Sequence, residues 1–508
     1  MSSVSGIRLP GLATGMDTET MVKQMLTNEQ SKVDRAKQKE QTIKWQQEIY
    51  RDVIKDVNEL NEKYFSITSS DSILNNSSWN TLKIKSSDPI SGLDSNVVTA
   101  TGNAGAAKID YNFEVESLAQ PARASYDINN RNSKLSELNL GLPGNTFKID
   151  LGDETKSKTI TLEDTDTITL EDTDTVDTII KKINDSYSGE IKASYSEMTG
   201  KFTIETKKTG KGVDFKFIGI TANGDGTETE GIPQAPTIGY TSGKNAKIIV
   251  KSNDGTEIKT LDQQSNSFTI DNIRYDINSV GKSRITSQED VKPVVDKMKT
   301  FVEDYNKVMD KVYDLITQKS DKNYKPLTDA QKEDMEDKEI EKWEEKAKKG
   351  ILRNDNDMRK FMDDIQKSIF GEKMQVLCEM GFKSHENYNK KGQISLDENK
   401  FTEALKNDGQ KVYEVFSKDS SSVLEGMKST IKKYVGGSSS VFAKKAGLEK
   451  TASAVKNFYS EQLRRQEDLI KSIQRKMDKK EDQLYKKFGV LEASMNKFNT
   501  QMNYFAQY

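Results

Sequence analysis

Cysteine and histidine are almost missing: Cys378 and His385 are the only ones among 508 residues. A lone cysteine excludes intrachain disulfides and cysteine-based zinc sites. A lone histidine excludes multi-histidine metal sites, and Ser-His-Asp or Cys-His chemistry would have to run through His385. In "FGEKMQVLCEMGF", Cys378 reads instead as a small apolar packing residue at a helix-to-loop transition. Proline is scarce too, with 8 in the chain, and between Asp17 and about Phe65 there is neither proline nor glycine. No run approaches the ~18 apolar residues of a membrane span. The start "MSSVSGIRLPGLATGM" lacks the basic n-region and apolar h-region of a Sec signal, so a cytosolic chain is expected unless export takes another route.

Apolar residues are also few, 33% against 31% charged, with a mean hydropathy of -0.77. One compact core draws on roughly 45–50% apolar residues, glycine included. The length suits about three domains of ~150 residues. Low apolarity then points to an elongated, helix-rich chain with narrow apolar seams. Basic and acidic residues nearly cancel, 77 against 80, so no global basic field points to nucleic acid. "KWQQEIYRD" mixes bases and aromatics, but at helical spacing Trp45, Ile49 and Val53 face a helix partner.

Other chemistries fail on spacing. Gly6 and Gly11 have the four-residue gap of a phosphate-binding loop, yet Leu12 and Ala13 stand where Lys and Ser or Thr are required. The octapeptide "ITLEDTDT" at 160–167 is repeated without change at 168–175. Its carboxylates suggest calcium, but counting from Asp164 the glycine of an EF-hand loop is Thr169 and the closing glutamate is Thr175. The copy reads as an acidic turn in an exposed hairpin that tolerates insertion. No carboxylate pair sits in a recognisable glycosidase motif. No catalytic, cofactor-binding or metal-ligating residue is assigned, and no enzyme activity is expected.

What is present is periodicity. Asp17 is placed to cap a helix whose first turn carries Glu19. Ala36, Ile43, Tyr50, Ile54, Val57 and Tyr64 follow a 3/4 alternation, with Glu40, Gln47 and Asn61 in the gaps. Such a helix spans roughly 70 Å. At the other end, Leu484, Phe488, Leu491, Met495, Phe498, Met502 and Phe505 step 4, 3, 4, 3, 4, 3, enough heptads for a coiled coil. Upstream, Ile473 and Met477 continue the stripe after one phase slip. A third helix is expected from about Ser287 to Gln318 on Val291, Val294, Met298, Phe301, Tyr305, Val308, Val312 and Leu315, with Pro293 in its first turn. Capping boxes open two more, Thr328 with Gln331 before "TDAQKEDMEDKEIEKWEEKAKKG" and Ser395 with Glu398 before "SLDENKFTEALKN"; Gly350 and Gly409 are suitable stops.

Residues 78–285 change character, to a period of two among Thr, Ser, Asn, Asp and Gly. "TLKIKS", "YNFEVES", "NTFKIDLG", "GEIKASYSEMTGKFTIET" and "AKIIVKSNDGTEIKTL" read as strands, with a hairpin turn at "EMTGKF". The fold class is therefore α+β, multidomain and elongated: a terminal coiled-coil stalk, a helical-bundle leg, and β-rich head domains inserted between the helical parts. The boundaries are 1–45 and 450–508 for the stalk, and 46–77 and 286–449 for the leg. The inner head takes 78–130 and 235–285, and the outer head 131–234.

Four stretches resemble the FliD family of flagellar filament cap proteins. They are "GLATGMDTETMVKQMLTNEQSKVDRAKQKEQTIKWQQEIYRDV", "YKPLTDAQKEDMEDKEIEKWEEKAKKGILRND", "GQISLDENKFTEALKND" and "KFGVLEASMNKFNTQMNYFAQ". The resemblance covers about 1–125 and 235–508 and is loose over 130–234. It implies a homo-oligomeric ring at the distal end of the bacterial flagellum. There the family retains exported flagellin and promotes its folding and polymerisation. It implies export without a cleaved Sec signal, an extracellular site, other axial proteins as neighbours, and an export chaperone docking on the C-terminal segment. A hook–filament junction protein, a cytosolic coiled-coil scaffold, and an adhesin whose head binds host mucin or glycans are the alternatives. Segments 11–65 and 452–505 are expected to pair antiparallel. The assembly stripe expected from this pairing is Val22, Met25, Ile43, Trp45, Tyr50, Ile54 and Val57 with Leu484, Phe488, Leu491, Met495, Phe498, Met502 and Phe505. No nucleic acid, cofactor or membrane insertion is expected.

Overall fold

The computed structural model describes residues 17–128, 130–133, 146–151, 168–169, 175–222, 228–232, 234–236, 238–385 and 391–505. Gly6, Gly11 and the first octapeptide copy lie outside these, and of the second copy only 168–169 and Thr175 are described. Helices are α1 (Thr18–Phe65), α2 (Val176–Ser186), α3 (Lys292–Thr317), α4 (Asp329–Glu333), α5 (Asp337–Lys348) and α6 (Asn356–Phe370). After them come α7 (Met374–Glu379), α8 (Glu398–Phe416), α9 (Val423–Val435), α10 (Val441–Ala446) and α11 (Phe458–Phe505). The chain forms two compact units. The first takes in the chain to Asn75, Val295–Asn407 and Lys411 onward; the second is Asn76–Val294 with Asp408–Gln410.

In the first unit α1 is the axis. Asp17 caps it, accepting from the Thr20 amide at 3.0 Å. Buried or half-buried residues then repeat in strict 4, 3 steps from Val22 through Leu26, Glu29, Val33, Ala36, Glu40, Ile43, Gln47, Tyr50, Ile54, Val57 and Asn61 to Tyr64. A second face buries Trp45, Val53 and Leu60. Two apolar faces on one helix require partners on two sides, which the bundle and α11 supply. Phe361 of α6, Tyr434 of α9 and Phe442 of α10 form an edge-on aromatic cluster, and Tyr50 joins it through Phe442 at 5.4 Å.

Helix α3 starts later than its pattern suggests. Ser287 belongs to the strand Gly281–Glu289, where Ser283 and Ile285 are buried at a period of two, and the helix begins only at Lys292. Along its main buried stripe Val294, Met298, Phe301, Tyr305, Met309, Val312 and Ile316 step 4, 3, 4, 4, 3, 4, with Val295 and Val302 buried beside it. A straight helix drifts about 20° per heptad from a 3.5 repeat, so the buried stripe moves from Val308 and Leu315 onto Met309 and Ile316.

Three other expectations are corrected here. "TDAQKEDMEDKEIEKWEEKAKKG" is two helices, because a second capping box at Glu336 with Glu339 restarts the chain. Gly350 does end the second, at φ 75°, and a Cβ there would sit 2.3 Å from the Ser320 nitrogen. Helix α8 is capped by Asp397, which accepts from the Asn399 and Lys400 amides, while Ser395 pairs in a short hairpin of Phe382–Ser384 with Ile394–Leu396. Gly409 is no stop; the helix breaks at Asp408 (φ -158°, ψ 79°) and resumes to Phe416.

Where α1 meets α3, Asp304 accepts from Lys63 at 2.9 Å, Tyr64 at 2.8 Å and Lys307 at 2.9 Å. Burial by itself pushes its carboxyl up, but these three donors outweigh it and hold the pKa at about 2, below the ordinary 3.8. A depressed carboxyl stabilises the fold above its unfolded pKa and loses that contribution as pH falls through the folded one. Between pH 3.8 and about 2, the wild-type chain should therefore lose on the order of 2 kcal/mol more stability than Asp304→Asn. Chemical denaturation at several pH values checks this; parallel slopes for the two proteins contradict it.

The second unit holds two β-rich cores. The first has a five-stranded antiparallel sheet in the spatial order Leu82–Ser87, Gly281–Glu289, Asp110–Ser117, Ala246–Lys251 and Glu257–Gln263. A three-stranded sheet of Ser267–Ile270, Ile273–Ile277 and Val98–Gly102 adds Val98, Ile273 and Tyr275 to the same core as Phe113, Val115, Ile248 and Ile285. In the second core, α2 packs with sheets that include Pro121–Asp127, Ile191–Ser196 and Lys201–Thr209. The "EMTGKF" turn joins the last two strands, with Ser196 opposite Lys201 and Gly200 at φ 63°.

Candidate assembly surface

Partner contacts fix the direction of the terminal helix pair. Gln47 donates through Nε2 to Asn457 Oδ1 at 3.0 Å and lies 3.1 Å from Ser460 Oγ. Gln466 donates to the Ala36 carbonyl at 2.9 Å, and Lys480 pairs with Glu29 at 2.9 Å. Val22 and Leu26 form a cluster with Leu484, against which Met477, Tyr485 and Phe488 pack. As α1 numbers fall, α11 numbers rise, so the helices are antiparallel. Glu29 is held at about 2, below its ordinary 4.5, by hydrogen bonds first from Lys32 and then from Lys480.

Gln47 and Gln466 are 8% and 6% exposed in this seam. A buried amide is satisfied in one alignment and left unpaired in a slipped one, so such residues select register at some cost in stability. Gln47→Leu with Gln466→Leu should be neutral or stabilising by about 1 kcal/mol while loosening register. In a Cys378→Ser background with Glu29→Cys and Lys480→Cys, the yield of cross-linking by a short bis-maleimide should fall when both glutamines are replaced. An unchanged yield contradicts a register role.

Past Phe488 the helix continues beyond the first buried positions of α1, Thr18 and Val22. On this continuation Leu491 is 46% exposed, Met495 44%, Phe498 68%, Met502 67% and Phe505 77%. The 4/3 spacing keeps these five on one helix face. Monomeric soluble proteins rarely expose a large contiguous apolar patch of this kind.

The fourteen stripe residues thus separate into two groups. Val22, Ile43, Trp45, Tyr50, Ile54, Val57 and Leu484 are buried within the chain, and Phe488 is half-buried against Leu484. Those eight hold the unit together. Met25 at 52% and the five residues from Leu491 to Phe505 face outward.

Burial also brings together residues that no local pattern announces. Tyr50 donates to Asp355 Oδ1 at 2.5 Å; Lys445 donates to Asp355 at 2.9 Å and to Asp357 at 2.7 Å. Asp355 additionally caps α6, accepting from the Asp357 and Met358 amides. Burial raises the Asp355 carboxyl pKa, but the Lys445 and Tyr50 donors prevail and keep it below the usual value. The Tyr50 hydroxyl is pushed upward, by burial first and by Asp355 second. Tyr459 of α11 lies 5.8 Å from the Tyr50 ring, so one knot ties α1, α6, α10 and α11.

Among the described residues no cluster of three His, Cys, Asp or Glu is placed to hold a metal, and no helix is long and apolar enough to cross a membrane. Comparison with known proteins adds the following. The family model described as flagellar hook-associated protein 2 C-terminus matches residues 243–500, and its N-terminus counterpart matches 14–122. Flagellar hook-associated protein 2 of Halalkalibacterium halodurans is 24% identical over 444 residues, covering 82% of this chain and 80% of that protein. The Thermotoga maritima protein of the same name is 24% identical over 348 residues, which is 65% of this chain and 51% of its own length. The crystal structure of the flagellar cap protein FliD D1-D2-D3 domains from Escherichia coli is 15% identical with a TM-score of 0.43, covering 78% of this chain and 98% of that one.

Proposed function

Because the chain belongs to the flagellar hook-associated protein 2 family, we propose that it caps the distal end of the bacterial flagellar filament. It retains exported flagellin there, promotes its folding and polymerisation, and so permits elongation and motility. The observation that carries this reading is the exposed face from Leu491 to Phe505 at the end of a stabilised helix pair. An assembly protein needs such a face, and a self-sufficient globule does not. The role is structural and not catalytic.

Its partners are further copies of itself and flagellin at the filament end. The same apolar face would need cover before export, which is the place of a chaperone on the C-terminal segment. The chain acts outside the cell, at the flagellar tip. The finer division into stalk, leg, inner head and outer head belongs to this proposal, with the head border moved to about residue 120, since Ala122–Ile128 contribute to the second β core. Nothing in the described head residues favours the adhesin reading.

The test is complementation of a strain lacking its own cap protein. The full chain should restore long filaments with a density at each tip in electron micrographs. A chain ending at Val490 should fold and be exported yet leave filaments short and tips bare. Full restoration by the truncated chain, or none by the full chain, overturns the reading.

A further inference from the structure

We propose that Met495 and Met502 form a redox modification site whose oxidation to the sulfoxide by a peroxide-class oxidant switches the end of α11 from apolar to polar. The inference rests on the reading of that face as the docking surface. Met495 and Met502 stand seven residues apart, hence on one face, with Leu491, Phe498 and Phe505 between and beside them. They are 44% and 67% exposed. By contrast Met298, Met309, Met358 and Met362 in the bundle are at most 2% exposed. Oxidation of a thioether needs access, so the accessible pair reacts ahead of the buried ones.

In the step, a sulfur lone pair attacks one peroxide oxygen, the O–O bond breaks, and an S=O bond forms. The other oxygen leaves as water with the peroxide protons. Sulfur is oxidised by two electrons and one peroxide is reduced by two. Reversal by methionine sulfoxide reductases takes the oxygen off as water while two thiols become a disulfide. In the free chain both side chains are already exposed, so the sulfoxides should leave the fold largely unaffected. At a docked apolar interface each sulfoxide brings an acceptor with no donor opposite it, which is costly to bury.

Met21, Met25, Met198 and Met374 are also 40% or more exposed and will oxidise, as will Cys378 given access. The test therefore uses the full chain with Cys378→Ser, treated with hydrogen peroxide, mapped by peptide mass, and added to uncapped flagellin filaments. Affinity for filament ends should fall about tenfold for each sulfoxide buried, which corresponds to ~1.4 kcal/mol. Sulfoxide reductases should restore it. Met495→Leu with Met502→Leu, given the same treatment, should lose no affinity relative to the same variant before oxidation, although its other methionines are oxidised. Unchanged binding by wild type carrying both sulfoxides overturns the proposal, as does an equal loss in the leucine variant. Failure of untreated protein to bind filament ends overturns the capping reading and this site with it, and that outcome is visible before any oxidant is added.

Discussion

Leu491→Asp, Met495→Asp and Phe498→Asp made together should abolish filament elongation and swimming while the thermal midpoint of the purified chain stays close to the wild-type value. The two halves of this result have separate causes. The three side chains are 46%, 44% and 68% exposed, so charging them removes little packing from the folded chain. At a docked interface each change forfeits about 1.5–3 kcal/mol of apolar burial and adds a carboxylate that must be desolvated. Summed, affinity for the filament end drops on the order of a thousandfold or more. Soft-agar swimming in a strain lacking its own cap protein, with calorimetry of the purified variant, reads both. Leu484→Asp is the contrasting control: that side chain is 7% exposed between α1 and α11, and the change should lower stability itself. Normal swimming by the triple variant contradicts the role of the face.

Asp355→Ala should destabilise the first unit by about 3–5 kcal/mol, the range for breaking a buried ion pair from one side. Three losses coincide. Lys445, only 19% exposed, keeps Asp357 but loses the more deeply buried of its two carboxylates. Helix α6 loses both cap bonds, ordinarily worth about 1 kcal/mol. The fully buried Tyr50 hydroxyl loses its acceptor. Tyr50→Phe removes only the last of these and should cost about 1 kcal/mol. Urea denaturation of the two variants and their double mutant measures the coupling; a cost below about 1 kcal/mol for Asp355→Ala would show the knot to be dispensable. Because the Asp355 carboxyl is held below its usual value, its contribution is present at neutral pH and is lost in acid.

Much of the helical framework was legible locally. Asp17 caps α1 because its carboxylate reaches the Thr20 amide three residues on, and that geometry depends only on spacing. The α1 seam and the "EMTGKF" hairpin are legible for the same reason. Helix interruptions were harder. Glu336 restarts a helix inside a run of helix formers, and Asp408 breaks one through a backbone conformation that no propensity encodes. Ser395 and Asp397 could both cap α8; the hairpin with Phe382–Ser384 decides between them from outside the segment.

The candidate surface was half legible. Periodicity places Leu484 and Phe498 on one stripe but carries no information on where the partner helix ends. Only the register set by Gln47, Glu29 and Gln466 shows that Leu484 is covered and Phe498 is not. The Tyr50–Asp355–Lys445 knot joins residues some 300 and 90 positions apart in sequence, beyond the reach of any local pattern.

On the proposed function, the face from Leu491 to Phe505 contacts filament-end subunits. A photo-reactive benzoyl-phenylalanine in place of Phe498, irradiated in cells bearing capped filaments, tests it at the residue itself. A cross-linked product of this chain with flagellin, identified by mass spectrometry, is the expected result. Cross-links confined to α1 of the same chain, with none to flagellin, would contradict it.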